Sequence, residues 1–221
     1  MDKVRLPSFN KSSFIREDLS IAIQAGGKST RMGRNKSKIA FLGKPLILRV
    51  LERIQDLSSE TIILSNTNDL DYKELKNIPI YSDIIPEIGP LGGLYTSLKL
   101  ATKEFVALVA CDMPFVSQQL IALEYKIMRE IDCDVVIPET EQGYEPMHAL
   151  YRKSSCLPKI EAALDMNQRR MISWFPGMNI HVLSIEVLKG IDPQMHMFLN
   201  INNLDDLRLA EEIAKKLIRN D

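Results

Sequence analysis

The hydrophobic positions of the chain alternate between short unbroken runs and helical stripes. Residues 19–23 and 105–110 form apolar runs with the length and branched side chains of buried strands. Residues 45–56 instead place apolar side chains at the spacing of a core-facing helix, and another strand-like run follows at residues 61–65. Strands that alternate with helices in this order predict an α/β fold with a doubly wound, mostly parallel sheet.

The pattern changes in the second half of the chain. Residues 133–138 and 147–151 are strand-like runs separated by a polar loop, which predicts a small antiparallel hairpin at the edge of the sheet or as a flap. Residues 198–202 predict a last short strand, and Ser117 and Asn203 are expected to cap the helices that follow them. We expect the last helix to dock on the sheet through four apolar side chains, namely Leu204, Leu207, Ile213 and Leu217.

The composition fits a single folded domain and carries no overall charge signal. The 221 residues are 45% hydrophobic, and 28 Lys and Arg against 29 Asp and Glu give a net charge of −1. This balance argues against nucleic acid or an anionic membrane as a partner. We expect residues 1–18, which are polar and without a period, to be a loosely ordered extension, and residues 19–221 to be the domain.

Neither the apolar runs nor the cysteines indicate export or membrane insertion. No run approaches the roughly 18 residues that span a bilayer, and the N-terminus lacks the apolar core of a signal peptide. Cys111, Cys133 and Cys156 are far apart and odd in number, which argues against a disulfide framework and for a reducing compartment. The expected location is therefore cytoplasmic.

Candidate site chemistry is concentrated in a Gly-rich, basic loop after the first predicted strand. Residues 24–36 read QAGGKSTRMGRNK, and five cations fall between positions 28 and 38. Glycines that allow close backbone approach, combined with dense positive charge, suit a polyphosphate ligand. The spacing matches neither the P-loop nor the G-x-G-x-x-G motif. A solvated, Lys-rich turn is the alternative interpretation.

Two later segments also carry candidate chemistry. Asp112 follows the run 105–110 and precedes Pro114, so its carboxylate is expected at the tip of a central strand, where it could hold a divalent cation against phosphate oxygens. It could also simply start a turn. Residues 88–93, IGPLGG, are expected to open a helix whose N-terminus suits an anion, or whose glycines allow tight packing.

Taken in order, five sequence blocks resemble the molybdenum-cofactor guanylyltransferase family. The blocks are A-G-G-K-S-T-R-M-G-R-N-K, G-K-P-L, S-D-x-x-x-x-x-G-P-L-G-G, C-D-M-P and F-L-N-I-N-N-L-D-D-L, and they extend from about residue 19 to residue 207. The resemblance implies a Rossmann-like nucleotidyltransferase of the nucleotide-diphospho-sugar transferase type. Such an enzyme joins GMP from GTP to the terminal phosphate of molybdopterin and releases pyrophosphate, with Mg²⁺ as cofactor. It also implies a GTP-binding part at residues 19–130 and a pterin-side part at residues 131–221.

The same resemblance assigns roles to individual residues. Lys36 would bind the phosphates and Asp112 would bind Mg²⁺, and together with Arg31 these are the expected catalytic residues. Asp83 would help to hold the nucleoside, and Asn66 would contact the base. The remaining nucleotide contacts would come from Gln24, Ala25, Gly26 and Gly27. The pterin side would be formed by Arg169, Arg170, Asn200 and Asn202.

The implied reaction needs positioning and charge neutralisation rather than a side-chain nucleophile, because the attacking phosphate is already ionised. The positions of the histidines in the sequence agree with such a reaction. His148, His181 and His196 form no recognisable catalytic or metal-binding pattern, so each is expected to be structural or at the surface.

Two residues depart from the family pattern. Asn35 stands where the family usually has Asp, and Gln24 where it usually has an aliphatic residue. The resemblance also bears on the nucleotide, because the Gly26-Gly27 pair stands where cytidylyltransferase relatives tend to have Ala-Gly, and the space that it would leave for a purine favours GTP over CTP. The alternatives are a related cytidylyltransferase or sugar-phosphate nucleotidyltransferase, and a non-catalytic nucleotide-binding or cofactor-binding adaptor. The expected partners are GTP and molybdopterin, with other cofactor-biosynthesis proteins or apo-molybdoenzymes as further candidates.

Overall fold

Strands and helices alternate along the chain in the order that the hydrophobic pattern predicts. The computed structural model describes residues 16–25, 36–67 and 70–220. Its strands are β1 Arg16–Gln24, β2 Ala40–Phe41, β3 Lys44–Pro45, β4 Ser58–Leu64, β5 Ile80–Tyr81, β6 Phe105–Ala110, β7 Val135–Thr140, β8 Gly143–Tyr144, β9 His148–Arg152 and β10 Ile180–Leu183. Its α-helices are α1 Leu46–Ile54, α2 Pro90–Leu100, α3 Gln118–Glu130, α4 Lys153–Asp165, α5 Ile185–Ile191 and α6 Leu204–Asn220.

Eight strands form one mixed sheet in the order β10-β7-β9-β6-β1-β4-β5, with β8 paired to β7. β1 pairs in parallel with β4 and β6 at the centre. β9 runs antiparallel to both β6 and β7. The doubly wound, mostly parallel sheet is therefore confirmed. The edge or flap position expected for the antiparallel pair is wrong, because β9 is inserted between β6 and β7 inside the sheet.

Helices cover both faces of this sheet. Along β1, Ile21 and Ile23 face a buried cluster that includes side chains of α1 and α3, whereas Ala22 faces a second cluster with α2 and α4. All six residues of β6 are buried, as expected for a central strand that is covered on both sides. Strands from residues before and after position 130 share the one sheet.

The start of the sheet lies earlier than expected. β1 begins at Arg16, so the last residues of the predicted extension belong to the strand. Asp18 accepts a hydrogen bond from the hydroxyl of Tyr125 at 2.5 Å and pairs with Arg129 at 2.6 Å, which ties this end of β1 to α3. Residues 1–15 lie outside the described part of the chain.

The final strand expected at residues 198–202 is absent from the described structure. The backbone N–H of Ile201 donates to the carbonyl oxygen of Asp112 at 2.9 Å. Because that amide bonds to the loop after β6, the segment is tied to the tip of a strand instead of adding to the sheet.

The last helix packs on a separate cluster rather than on the sheet. Ala210 and Ala214 are buried there against side chains that include Phe41 and Phe115. Leu207 and Ile213 pack against this cluster, so two of the four predicted side chains dock the helix, although not on the sheet, and the docking roles predicted for the other two are wrong. Leu204 and Leu217 are 60% and 46% exposed.

Both predicted helix caps are confirmed. Ser117 Oγ accepts the backbone N–H of Leu120 at 3.2 Å, at the start of α3. At the start of α6, Asn203 Oδ1 accepts the N–H of Asp206 at 2.9 Å, while Asp206 Oδ2 accepts the N–H of Asn203 at 3.2 Å. This reciprocal pair is a capping box. No helix of the described ranges is both long and apolar enough to cross a bilayer.

Candidate active site

The carboxyl ends of three parallel strands meet at one edge of the sheet. In the register of the sheet, Gln24 of β1 lies between Leu64 of β4 and Ala110 of β6. The N–H of Ala25 donates to Leu64 O at 2.8 Å, and the N–H of Cys111 donates to Gln24 O at 3.0 Å. The chain segments that follow the three strands therefore leave the sheet side by side. In open α/β sheets this is the edge at which ligands bind.

Asn66 and Asp83, which the resemblance assigned to the nucleotide, lie together beyond β4 and β5. Asn66 Nδ2 donates to Asp83 Oδ2 at 2.8 Å, and the backbone N–H of Asp83 donates to Asn66 Oδ1 at 2.8 Å. Asn66 is exposed and Asp83 is half-buried. The two bonds fix the orientation of both side chains while leaving them accessible from the surface.

Gln24 packs directly on the start of α2. A Cβ on Gly93 would overlap the side-chain amide of Gln24, so the two residues fit only because position 93 carries no side chain. Gln24 is 7% exposed, and its Oε1 has no hydrogen-bond partner among the described residues. Of the two interpretations of the second Gly-rich segment, the contact at Gly93 favours tight packing. Gly89, with φ +83°, allows the chain to turn into the helix.

Asp112 is half-buried at the tip of β6, where the sequence predicts it. Its carbonyl oxygen accepts the N–H of Ile201, which lies between Asn200 and Asn202. Asn200 Nδ2 donates to Phe198 O at 3.0 Å, which holds that side chain against its own segment. The structure therefore places the two predicted pterin-side asparagines on the segment that is bonded to the Asp112 loop.

The predicted arginines lie elsewhere. Arg169 Nη1 donates to Glu87 O at 3.3 Å, in the loop between β5 and α2, and Arg170 is exposed. Arg169 is therefore bonded to the loop that follows Asp83, whereas Asn200 and Asn202 flank Ile201 on the segment that is bonded to Asp112.

Several predicted site residues lie outside the described part of the chain. These are Gly26, Gly27 and Arg31. The backbone of Lys36 begins a short 3-10 turn, Lys36–Lys38, but its side chain also lies outside the described part. The roles of these residues therefore stay predictions.

The histidine at the start of β9 belongs to a buried polar group beneath the Asp112 loop. The backbone N–H of Ser117 donates to His148 Nε2 at 3.2 Å, and His148 Nδ1 lies 3.8 Å from Glu124 Oε1. Both side chains are fully buried. Burial raises the pKa of Glu124 well above its ordinary value and lowers the pKa of His148 to about 4. The bond from Ser117 requires an unprotonated Nε2, so both observations indicate a neutral pair.

Sequence reasoning missed Glu124, although a signal was present. Glu124 lies four residues after Leu120 and four before Met128, two buried positions of the same helix. A carboxylate at the centre of an apolar stripe is unusual and marks a buried polar contact.

The implied Mg²⁺ can be tested against the donors that the site offers. Within the described ranges, no three His, Cys, Asp or Glu side chains come together as a metal-binding group. Mg²⁺ is commonly held by one or two carboxylates together with substrate phosphates rather than by an all-protein cage. The Asp112 carboxylate at the tip of β6 therefore fits the donor set of a Mg²⁺ ion that is bound together with a triphosphate.

The chain is similar to known proteins in both sequence and fold. Residues 21–178 match the family model of the MobA-like NTP transferase domain. The probable molybdenum cofactor guanylyltransferase of Carboxydothermus hydrogenoformans is 30% identical over 190 residues, covering 86% of this chain and 93% of that protein. The corresponding protein of Peptoclostridium acidaminophilum is 32% identical over 206 residues, covering 89% and 90%.

Solved structures show the same relationship. Molybdopterin-guanine dinucleotide biosynthesis protein A from Archaeoglobus fulgidus matches with a TM-score of 0.77 at 28% identity, covering 89% of this chain and 99% of that one. A 2-C-methyl-D-erythritol 4-phosphate cytidylyltransferase from Thermus thermophilus, with a TM-score of 0.64 at 15% identity, shares the fold alone. Because the family model spans most of the chain and relatives at least 30% identical cover most of its length, the chain belongs to the family of MobA-like NTP transferase domains.

Proposed function

We propose that the protein transfers GMP from GTP to the terminal phosphate of molybdopterin, giving molybdopterin guanine dinucleotide and pyrophosphate. The observation that carries the proposal is the meeting of Gln24, the Asn66–Asp83 pair and Asp112 at one sheet edge in a chain of this family. Relatives that align over most of the chain are named for guanylyl transfer to the molybdenum cofactor.

The proposed chemistry assigns positioning roles to the residues of this edge. Asn66 and Asp83 would hold the nucleoside through their outward-facing polar atoms. Lys36 and Arg31 would neutralise the triphosphate and the departing pyrophosphate. Asp112 would hold Mg²⁺, which when bound supplies positive charge next to the phosphate under attack. No side chain needs to form a covalent intermediate, because an ionised phosphate is the nucleophile.

The direct test is guanylylation of molybdopterin by the purified protein. We expect dinucleotide and pyrophosphate to form with GTP and Mg²⁺, and GTP to raise the melting temperature more than CTP, since a ligand stabilises the state that binds it. Product formation with CTP in preference to GTP would instead identify the cytidylyltransferase alternative, whose fold this chain shares.

Asp112→Asn tests the metal role. The variant keeps the shape of the side chain but removes its charge, so turnover should fall by about 100-fold or more in a protein that stays folded. Asp165→Asn, at the exposed end of α4, serves as the matched control and should keep wild-type turnover. Wild-type activity of Asp112→Asn at limiting Mg²⁺ would remove this residue from the proposed role.

We also propose a cytoplasmic location, because all three cysteines are buried free thiols, as is usual in a reducing compartment. Apo-molybdoenzymes and other cofactor-biosynthesis proteins are the proposed partners that exchange the pterin with this protein.

A further inference from the structure

A cleft of about 340 Å³ opens between the end of β7 and α5, and the roles assigned above do not use it. One wall is the turn from Thr140 to Glu145 around β8, and the other is formed by α5 and the segment that includes Phe198 and Leu199. Leu199 precedes Asn200, so the cleft adjoins the segment that is bonded to Asp112 through Ile201.

The position of the cleft in the sheet mirrors that of the Asn66–Asp83 pair. β7 runs parallel to β6, because both are antiparallel to β9, so the end of β7 at Thr140 faces the same edge as Asp112. β7 and β4 are each two strands from β6, on opposite sides. At about 4.8 Å per strand, each site lies roughly 10 Å from the tip of β6. Two flat rings joined through a diphosphate would span this arrangement with the phosphates at Asp112.

Glu145 is held in this cleft by both its side chain and its main chain. Thr140 Oγ1 lies 3.1 Å from Glu145 Oε1, and the half-buried Glu145 is also anchored by its main chain. Its N–H donates to Pro138 O at 2.9 Å, and its carbonyl accepts the N–H of His148 at 3.0 Å. Its carboxylate is therefore placed before any ligand arrives.

The other lining groups complement a particular heterocycle edge. Gln142 and Lys189 add hydrogen-bond donors, and Phe198 adds an aromatic ring. The carboxamide of Gln142 lies close to Thr140, with Oε1 3.1 Å from Thr140 Oγ1. A 2-amino-4-oxo-pyrimidine edge presents two N–H donors beside a carbonyl acceptor. A carboxylate can accept both donors while a nearby amide or ammonium donates to the carbonyl.

This edge occurs both in pterins and in guanine. We propose that the cleft binds the pterin ring of the acceptor, with Glu145 accepting the 2-amino and N3 hydrogens; this inference rests on the proposed guanylyl transfer. The pterin is favoured over guanine because the Asn66–Asp83 pair, on the opposite side of Asp112, is the place assigned to the nucleoside.

Glu145→Gln tests the assignment, with Glu139→Gln as control. Both variants remove one negative charge from the same hairpin, but Glu139 is exposed and does not line the cleft. Loss of a charge-assisted acceptor should raise the KM for molybdopterin about 10-fold or more in Glu145→Gln, with the KM for GTP unchanged. Glu139→Gln should keep both wild-type values. Gln142→Leu, at an exposed position, provides a second variant in case Glu145→Gln folds poorly, and should also raise the KM for molybdopterin.

The outcomes separate this inference from the proposed function. If the wild-type protein guanylylates molybdopterin but both cleft variants keep its KM, the assignment of the cleft is wrong while the function stands. A rise in the KM for GTP instead would place the guanine edge in the cleft and also overturn the assignment. If the wild-type protein makes no dinucleotide, the function fails, and fluorescence anisotropy with 6-hydroxymethylpterin tests the cleft alone. Wild-type binding that Glu145→Gln weakens would support the inference, and no binding, or equal binding by both, would contradict it.

Discussion

Acidification is expected to weaken the fold through the buried imidazole of His148. In the folded chain Nε2 accepts the N–H of Ser117, and the ring lies edge-on to Phe198 with centroids 5.7 Å apart. Protonation of Nε2 would point its new N–H at the N–H of Ser117, so that two donors face each other. It would also leave a positive charge with no access to water. Both effects act against the imidazolium, in agreement with a pKa that burial lowers to about 4.

The sign and the size follow from the difference between the folded and unfolded chains. The unfolded chain binds this proton first, near the ordinary value of 6.5. The stability due to neutral His148 is therefore fully present above about pH 6.5 and is lost as the pH falls towards about 4. A difference of roughly 2.5 pKa units corresponds to about 3 kcal/mol. Burial raises the pKa of Glu124, so this residue changes the unfolding free energy with pH in the opposite direction.

Urea unfolding across this pH range, with wild type and His148→Gln side by side, isolates the effect. The carboxamide of the variant can still accept the N–H of Ser117 but does not titrate. We expect wild type to lose about 3 kcal/mol more than the variant between about pH 7 and about pH 4. Parallel profiles for wild type and His148→Gln would refute the reasoning.

Two further predictions concern α3, the helix that contains Glu124 and is capped by Ser117. The proton on Glu124 contributes stability that is lost as the pH rises above the ordinary glutamate value of 4.5 and through the raised folded pKa. The unfolding free energy of Glu124→Gln should therefore increase relative to that of wild type as the pH rises. A difference in unfolding free energy that does not change with pH would contradict this. Ser117→Ala should lose about 1 kcal/mol in urea unfolding, because the N–H of Leu120 loses its cap. Ser184→Ala, at an N-cap that makes no side-chain capping bond, should cost less, and equal losses would argue against the cap.

Features that depend on residues close together in the sequence were predicted well, whereas features that depend on contacts between distant segments were not. The run at residues 105–110 matches β6 because an unbroken apolar stretch of that length suits a strand buried on both faces. The strand at β9 was also predicted, but not its place between β6 and β7, since strand order depends on pairing between distant segments. Residues 198–202 alternate like a strand, yet the amide of Ile201 bonds to Asp112, a partner that periodicity cannot reveal.

In the candidate site, too, local features could be predicted and long-range contacts could not. Asp112 could be placed because the end of a buried strand determines where the next side chain lies. The mutual hydrogen bonds of Asn66 and Asp83 could not, because the two residues are 17 positions apart and meet only when β4 and β5 pair. Glu124 was visible as an anomaly in an apolar stripe, but its neighbour His148 comes from a strand whose position the pattern does not specify.

The loop after β6 is held by contacts from both halves of the chain, and this bears directly on the proposed transfer. Ile201 donates to the carbonyl of Asp112, and Ser117 donates to His148 on the inserted strand. The second half of the chain therefore holds the backbone of the loop that carries Asp112. A transfer between phosphates depends on placement more than on a reactive side chain. In this protein the buried histidine would thus act by holding the loop, and it need not touch a substrate to be required for the reaction.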